Sequence, residues 1–312
     1  SSGEFPESLM SGGVPRENRK EKTMSSFDDF KKKSRSSIDD LTKALEETNG
    51  TTKSYKDDRF WRPELDKASN GFAIIRFLPT PPNEELPFAK LYSHGFQGKG
   101  GWYIENSRTT LGEKDPVSEM NSELWNSGIE SDKDIARTRK RKLQYISNIL
   151  VISDPANPQN EGKVFLYKYG KKIFDKIQEA AQPEFADEEA VDVFNFWDGA
   201  NFKLKVRRVA GFINYDKSEF DSATPLLDGD DAKLEELWNK QYSLTAFTDA
   251  SNFKSYDELK TRLREVVGED IRSMEVKTST VEDVSSSDVN SIDDSKNDET
   301  DALSYFEKLS QE

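Results

Sequence analysis

Basic and aromatic residues occur together in three stretches of this chain, at positions 137–145, 163–172 and 203–215. Cations can neutralise the phosphates of a nucleic acid, and flat rings can stack on unpaired bases, each stack contributing about 1–3 kcal/mol. A solvated strand over an aromatic core would explain any one stretch, but three in one chain favour binding of a single-stranded nucleic acid. The candidate binding residues are Lys140, Arg141, Lys142, Tyr145, Tyr167, Lys168, Lys171, Lys172, Phe212 and Tyr215.

The composition excludes many kinds of catalytic and metal-binding site. The chain has no cysteine and one histidine, His94, which rules out disulfide bonds, thiolate chemistry and most nucleophile–base pairs and metal sites. It also lacks the GxxxxGK[ST] phosphate-binding loop and the GxSxG nucleophile motif. A magnesium-dependent nuclease built on carboxylates stays open as a minor alternative, because acidic residues are plentiful. We therefore expect a protein that is not an enzyme and that uses no metal and no cofactor.

Charge is strongly segregated along the chain, whose net charge is −14. Residues 278–312 contain ten acidic residues and two lysines, a net charge of −8. Residues 137–176 contain ten basic and three acidic residues, a net charge of +7. The distribution is more informative than the sum, because the basic stretch can attract phosphates. No apolar run approaches the roughly 20 residues of a membrane-spanning helix, so we expect no membrane partner.

Composition divides the chain into four parts. Residues 1–23 lack periodicity and precede Met24, so we interpret them as a leader outside the folded protein. Residues 24–55 form a basic arm, residues 56–272 a globular body, and residues 273–312 an acidic, Ser/Asp-rich tail that should be disordered. Positions 303–309 of the tail are apolar enough to fold on a partner. The core of the arm consists of Phe30, Lys31, Lys32, Lys33, Ser34 and Arg35.

Hydrophobic patterning predicts an α+β body made of short strands and a minority of helices. The last helix should begin with the capping box of Ser255 and Glu258 and end at Gly268. Glycines at 97–101 indicate a loop. This combination is typical of the five-stranded oligonucleotide-binding (OB) barrel with peripheral helices, although pattern alone does not fix the strand order. The predicted strands are 72–78, 145–152, 163–169 and 202–213, and the predicted helices are 171–181, 231–242 and 255–267.

The chain resembles the single-stranded-DNA-binding, or helix-destabilising, proteins of T-even-type bacteriophages. The resemblance extends from about Met24 to the C-terminus and is densest between Trp61 and Tyr215. It implies an OB core with a subdomain inserted at about 90–136. The matching stretches, which occur in one order, include Ile75-Arg76-Phe77-Leu78-Pro79, His94-Gly95-Phe96, Trp102-Tyr103-Ile104-Glu105, Asn148-Ile149-Leu150-Val151, Gly170-Lys171-Lys172-Ile173 and Gly199-Ala200-Asn201-Phe202.

The resemblance implies roles for individual residues. Lys140 and Lys142 match the family's basic cluster. The arm residues from Phe30 to Ser34 resemble a motif that binds the neighbouring protomer and makes coating of the strand cooperative. The acidic tail resembles a segment that recruits replication and recombination proteins and competes with DNA for a basic surface. The residues that match the family's DNA cleft are Arg76, Arg141, Tyr145, Tyr167, Phe212 and Tyr215.

The chain departs from the family at its zinc site, which consists of one histidine and three cysteines. His94 keeps the histidine, but Ser107, Val117 and Met120 stand at the cysteine positions. One imidazole cannot form a tetrahedral structural site, so we predict no zinc and a near-surface environment for His94. Packing must then hold the inserted subdomain. The candidates for that packing are Leu111, Val117, Met120, Leu124 and Trp125.

The expected DNA cleft also differs from that of the family. Ile129 and Ala136 replace two of the family's tyrosines, and Trp125 is a candidate substitute.

We predict a cooperative, sequence-independent single-stranded-DNA-binding protein of phage replication, recombination and repair, located in the cytoplasm of the infected bacterial host. Its expected partners are single-stranded DNA, further copies of itself along the strand, replication and recombination proteins at the tail and, as a further candidate, its own mRNA. Two alternatives stay open: an RNA-binding translational regulator that uses the same cleft, and a recruitment scaffold that works through its tail.

Overall fold

A computed structural model of the protein describes residues 57–272. This part of the chain forms a mixed α+β fold of nine strands and five α-helices, as the patterning predicted. None of its helices is both long and apolar enough to cross a bilayer. The strands are β1 (Phe60–Trp61), β2 (Gly71–Phe77), β3 (Ala89–Gly98), β4 (Gly101–Asn106), β5 (Lys142–Ser153), β6 (Val164–Tyr169), β7 (Phe202–Val209), β8 (Phe212–Asn214) and β9 (Glu219–Phe220). The helices are α1 (Pro116–Asn126), α2 (Glu130–Thr138), α3 (Lys171–Ala181), α4 (Asp231–Asn239) and α5 (Tyr256–Val267).

Strand β5 organises the sheet because it pairs with three other strands. Its first residues pair with β3, its middle with β6 and its last with β2, all in antiparallel fashion. Strand β2 pairs on its other side with β7, which continues the sheet to β8. The order is therefore β1-β6-β5-β2-β7-β8, while β3 and its hairpin partner β4 branch from β5.

Most of the predicted elements are confirmed, with two differences. The run 202–213 is two strands, β7 and β8, because Ala210 and Gly211 adopt positive φ angles and reverse the chain. The expected loop at 97–101 is shorter than predicted, because Gly98 ends β3, Gly101 begins β4 and only Lys99 and Gly100 form the turn between them. The glycines also serve close packing: the Gly100 N–H donates to the Val266 carbonyl at 2.9 Å. A Cβ on Gly100 would lie 1.8 Å from the Glu265 carbonyl oxygen.

One face of the sheet carries the main hydrophobic core, which is rich in aromatic rings. The Phe77 ring meets Tyr169 edge-on at a centroid distance of 5.5 Å and Phe194 at 5.8 Å. Helix α3 covers this face with Ile173 and Ile177, which lie one helical turn apart. Full burial of each such side chain contributes about 1.5–3 kcal/mol, so this core fixes the position of the rings described below.

A second core joins the segment between β3 and β5 to the last helix. Of the predicted packing residues, Val117, Met120 and Leu124 lie inside it and Trp125 packs at its border. Leu111 instead packs on a different cluster, with Ala89 and Leu91. The contribution of α5 was not predicted, because it is brought there from far along the chain. The members of this second core are Phe96, Tyr103, Val117, Met120, Leu124, Ile135, Ala136, Leu259, Leu263, Val266 and Val267.

Candidate nucleic-acid interface

The candidate tyrosines of β5 and β6 lie on one face of the sheet. Tyr145 pairs directly with Tyr169, and the two ring centroids are 5.8 Å apart. Tyr167 lies 5.5 Å from Tyr169 on the same face. Lys168 points to the opposite face, as the alternation predicted, and its Nζ lies 5.3 Å from the centre of the Phe60 ring. Burial lowers the pKa of Lys168. The structure therefore separates Lys168 from the tyrosines.

Two of the candidate rings have the surroundings of core residues. Tyr167 is 1% exposed and meets Trp61 edge-on at a centroid distance of 5.5 Å. Burial raises its pKa well above the usual value. Tyr215 is also buried, in the same cluster. Stacking of either ring on a base would require this core to open, so both residues support the surface in the structure as it stands.

A third candidate ring, that of Tyr145, is also buried in this cluster, at 5% exposure, on a strand that lies between β3 and β6. Its stacking on a base would require the same opening of the core. Its ring is stacked on Phe174 of α3, with centroids 3.9 Å apart and planes inclined by 6°. Phe88 meets it edge-on at 6.0 Å, and burial raises the pKa of Tyr145 to about 12. Directly across from Tyr145 on β3 is Lys90, which is exposed. From β5 to its neighbour β3, this face of the sheet therefore changes from a buried ring to an exposed cation.

Arg76 is fully buried, although we expected it to contact phosphates. Its Nη2 donates to the carbonyls of Asn195 at 3.0 Å and Thr224 at 2.9 Å, and its Nη1 donates to Asn201 Oδ1 at 3.3 Å. Burial lowers its pKa. Arg76 therefore ties the loops on either side of β7 to β2. A Cβ on Gly199 would come within 2.9 Å of Arg76 Nη2, so glycine is needed there.

The basic run 137–142 divides into residues that hold the fold and residues that line the start of β5. Arg137 is exposed and forms an ion pair with Asp134 at 2.6 Å. Arg139 is buried and donates to the Ile271 carbonyl at 2.5 Å, which fixes the chain after α5. Lys140, Arg141 and Lys142 are half-buried and lead into β5. These three residues are the cationic part of the candidate interface.

The structure adds Tyr92 and Lys90 of β3 to this surface, and the sequence reading missed both. The guanidinium carbon of Arg141 lies 3.7 Å from the centre of the Tyr92 ring, and Lys90 Nζ lies 5.4 Å from it. They were missed because 89–98 was not predicted to be a strand. The alternation of Lys90, Tyr92 and His94 with apolar neighbours was the available signal.

The remaining candidates lie on α3 and near β8. Lys171 is exposed and forms an ion pair with Asp175 at 3.2 Å, whereas Lys172 is half-buried. Phe212 is half-buried on β8, where it pairs with Val209. Helix α3 and the segment after β8 are adjacent, because Lys176 Nζ donates to the Asp216 carbonyl at 3.4 Å. The contact residues proposed for the arm, Phe30, Lys31, Lys32, Lys33, Ser34 and Arg35, lie outside the described residues.

His94 is buried, at 1% exposure, so the expectation of a near-surface position is wrong. Within residues 57–272 neither of its ring nitrogens has a hydrogen-bond partner, and burial lowers its pKa to about 3. Its Nδ1 is 3.9 Å from Asp115 Oδ1, but a neutral imidazole forms no ion pair with that carboxylate. The cause of the burial is that β3 turns His94 towards the Tyr103 ring, whose centroid is 6.4 Å away.

The residues around His94 do not fit a structural zinc ion. Val117 and Met120 belong to the second hydrophobic core, and the Ser107 hydroxyl lies 2.7 Å from Thr109 Oγ1. Asp115 is occupied as the N-cap of α1, where it accepts from the backbone of Val117 at 2.9 Å. Over residues 57–272, no three histidine or acidic side chains are grouped as metal ligands. Packing and capping hold this part of the fold.

Comparison with known proteins gives a consistent result. Residues 69–267 match the family model described as "gp32 DNA binding protein like". The chain is 46% identical over 221 residues to the "Single-stranded DNA-binding protein" of Enterobacteria phage T2, which is 69% of this chain and 72% of that protein. It is 43% identical over 246 residues to the protein of the same name from Enterobacteria phage T4, covering 77% of this chain and 79% of that one. A third relative of that name, from Enterobacteria phage RB70, is 43% identical over 94 residues, which are 30% of this chain and 79% of the relative.

Proposed function

Since the chain belongs to the gp32-like family of DNA-binding proteins, we propose that it binds single-stranded DNA without sequence preference. The names of its T2 and T4 relatives support this function. The observation that carries the proposal is the arrangement at the start of β5. There Lys140, Arg141 and Lys142 lead into the strand, close to the buried ring of Tyr145, which is stacked on Phe174.

The proposed mechanism requires no catalysis. The cations neutralise phosphates, and aromatic side chains contact bases through their flat faces, which every base offers. A protein that binds unpaired strand more tightly than duplex lowers the free energy of the melted state by mass action. The protein would therefore coat and protect unpaired DNA as it forms.

The proposal includes an OB-type barrel for residues 56–272, with a subdomain inserted at about 90–136. It is supported by the single continuous core on one face of β2, β5, β6 and β7. The second core, which gathers α1, α2 and the β3–β4 hairpin, supports the inserted subdomain.

The chain's two ends complete the proposal. We assign the basic arm, residues 24–55, to contacts between protomers along the DNA strand, on the basis of the resemblance of Phe30 to Ser34 to the family's arm motif. We assign the acidic tail, residues 273–312, to recruitment of replication and recombination proteins, on the basis of its resemblance to the family's acidic tail, with a net charge of −8 over 278–312. The proposed setting is phage DNA replication, recombination and repair in the cytoplasm of the infected host.

A salt titration of binding to poly(dT) and to duplex DNA, followed by intrinsic Tyr/Trp fluorescence, tests the proposal. We expect tight, salt-sensitive quenching by poly(dT) and little response to duplex. No quenching at low salt would refute single-stranded-DNA binding. Matched RNA oligonucleotides address the alternative of an RNA-binding regulator, because only RNA offers 2′-hydroxyls. A body without residues 273–312 that still binds poly(dT) would exclude the scaffold alternative.

A further inference from the structure

We propose that Tyr92 and Lys90 of β3 form a further contact to single-stranded DNA, in which the Tyr92 ring stacks on a base and Lys90 neutralises a phosphate. This inference rests on the proposed function and extends the interface from β5 across to β3.

The position of the two residues in the sheet is the first argument. Lys90 is paired directly with Tyr145, and Tyr92 with Leu143, so both β3 side chains lie on the face that carries Tyr145. Paired side chains on neighbouring strands have Cβ atoms about 4.5–5.5 Å apart. A DNA strand that contacts Arg141 therefore comes within contact distance of β3.

The second argument is that the Tyr92 ring is not explained by core packing. It is half-buried and belongs to none of the four hydrophobic clusters in the part of the chain that the structure describes. Two cations lie next to it: the Arg141 guanidinium carbon is 3.7 Å from the ring centre and Lys90 Nζ is 5.4 Å from it. A flat ring flanked by two cations is the combination that binds unpaired nucleotides.

The third argument is charge. Lys90 is exposed, and within residues 57–272 it has no carboxylate partner. Arg141 adds a second positive charge beside the Tyr92 ring. Two neighbouring cations repel each other, and an anion such as a phosphate relieves that repulsion. The surface around Tyr92 thus favours a polyanionic ligand.

The fourth argument is that the backbone of Tyr92 is already fixed. Its N–H donates to Thr110 Oγ1 at 3.0 Å, and its carbonyl accepts from the Ser107 N–H at 2.9 Å and from Thr110 Oγ1 at 3.2 Å. These bonds anchor β3 on the side opposite to β5. A ring on a fixed backbone loses less conformational freedom when a base stacks on it.

The test compares the parent protein with Tyr92→Leu, Tyr92→Phe and Lys90→Gln in salt titrations with poly(dT). We expect Tyr92→Leu to weaken binding by about 5- to 150-fold with an unchanged salt slope, which is the contribution of one stack. Tyr92→Phe keeps the ring and should bind as the parent does. Lys90→Gln should reduce the salt slope by about 0.7, the value for one lost phosphate contact. Tyr256→Leu and Lys114→Gln, which alter a ring and an exposed cation elsewhere, are the matched controls.

A measurement on the unaltered protein keeps the test decisive if Tyr92→Leu does not fold. Poly(dT) should protect Lys90, but not Lys114, from an amine-reactive reagent. Two results would exclude the β3 contact while the parent still binds poly(dT): equal binding by Tyr92→Leu and Lys90→Gln, or full reactivity of Lys90 in the complex. In either case the proposed function stands. If the parent does not bind poly(dT), the proposed function and this inference both fail.

Discussion

Arg141 shows how one residue can connect the fold to the candidate interface. Its guanidinium covers the Tyr92 ring, and its charge is close enough to His94 to help lower the pKa of that imidazole. Burial is the larger cause of that shift. A neutral His94 leaves Arg141 without a competing positive charge behind it. The neutral, buried histidine therefore adds no electrostatic repulsion to the Arg141 guanidinium.

Arg141→Ala should weaken binding to poly(dT) and flatten its salt dependence. Each lost phosphate contact reduces the slope of log K against log salt by about 0.7 for a single strand. The measurement is a fluorescence titration at several salt concentrations. Arg137→Ala is the control, because Arg137 is exposed but paired with Asp134. An unchanged slope for Arg141→Ala would remove Arg141 from the set of phosphate contacts.

The single histidine should make folding stability depend on pH below neutrality. His94 has a pKa of about 3 in the folded protein, whereas an unfolded histidine titrates near 6.5. Between these values the unfolded chain binds one more proton, so stability falls as the pH falls, by at most about 1.4 kcal/mol per pH unit. Denaturant unfolding of the parent and of His94→Gln at pH 7 and 5 measures this difference.

The imidazole NMR signals of His94 give an independent check, since no other histidine is present. They should not titrate between pH 7.5 and 5. A titration midpoint near pH 6.5 would show that the His94 ring is solvated, which would contradict its burial.

At the scale of elements, local sequence signals predicted three of the five α-helices of residues 57–272, namely α3, α4 and α5, and missed α1 and α2. The capping box of Ser255 and Glu258 and the stop at Gly268 define α5 as the sequence indicated, because capping depends only on neighbouring residues. The packing partners of α5 could not be predicted in the same way. Leu259 and Val266 share a core with residues more than a hundred positions earlier, and no local pattern encodes such a contact.

The β3–β4 hairpin shows the opposite case, in which a local signal was misleading. The glycines at 98, 100 and 101 were interpreted as a loop, but Gly98 and Gly100 are required by the close approach of α5. That requirement is visible only when the helix is in place. Because the hairpin was missed, Tyr92 and Lys90 were missed with it, whereas the rings of β5 and β6 were predicted from alternation.

Leu259→Ala should destabilise the region around α5. Leu259 is fully buried in the second core, and truncation of a buried leucine to alanine typically costs about 2–5 kcal/mol. Lys260→Ala, on the exposed side of the same helix, should change stability by no more than about 0.5 kcal/mol. Guanidinium unfolding of both variants measures the difference. Equal, small effects would mean that α5 is not part of this core.

At the scale of the whole molecule, the proposed roles separate into binding by the body and cooperativity by the arm. Deletion of residues 24–36 should abolish cooperative binding to poly(dT), because it removes the basic run from Lys31 to Lys33. It should leave the affinity of one protomer for a short oligonucleotide unchanged. Titrations of the parent and the deletion with a long and a short oligonucleotide measure the two quantities. An equal loss on the short oligonucleotide would identify the arm as a DNA contact.

The bond between Arg139 and the Ile271 carbonyl determines where the acidic tail departs from the body. Arg272, the next residue, forms an ion pair with Asp132 of α2 at 3.0 Å, so the point of departure lies beside the basic run 137–142. The tail's first acidic pair, Glu282 and Asp283, begins ten residues later, within about 35 Å of that point even for a fully extended chain. A tethered segment of this reach has an effective concentration on the order of millimolar. Dilution of the protein leaves that concentration unchanged, so the competition between tail and DNA that the family resemblance implies should not depend on the concentration of the protein.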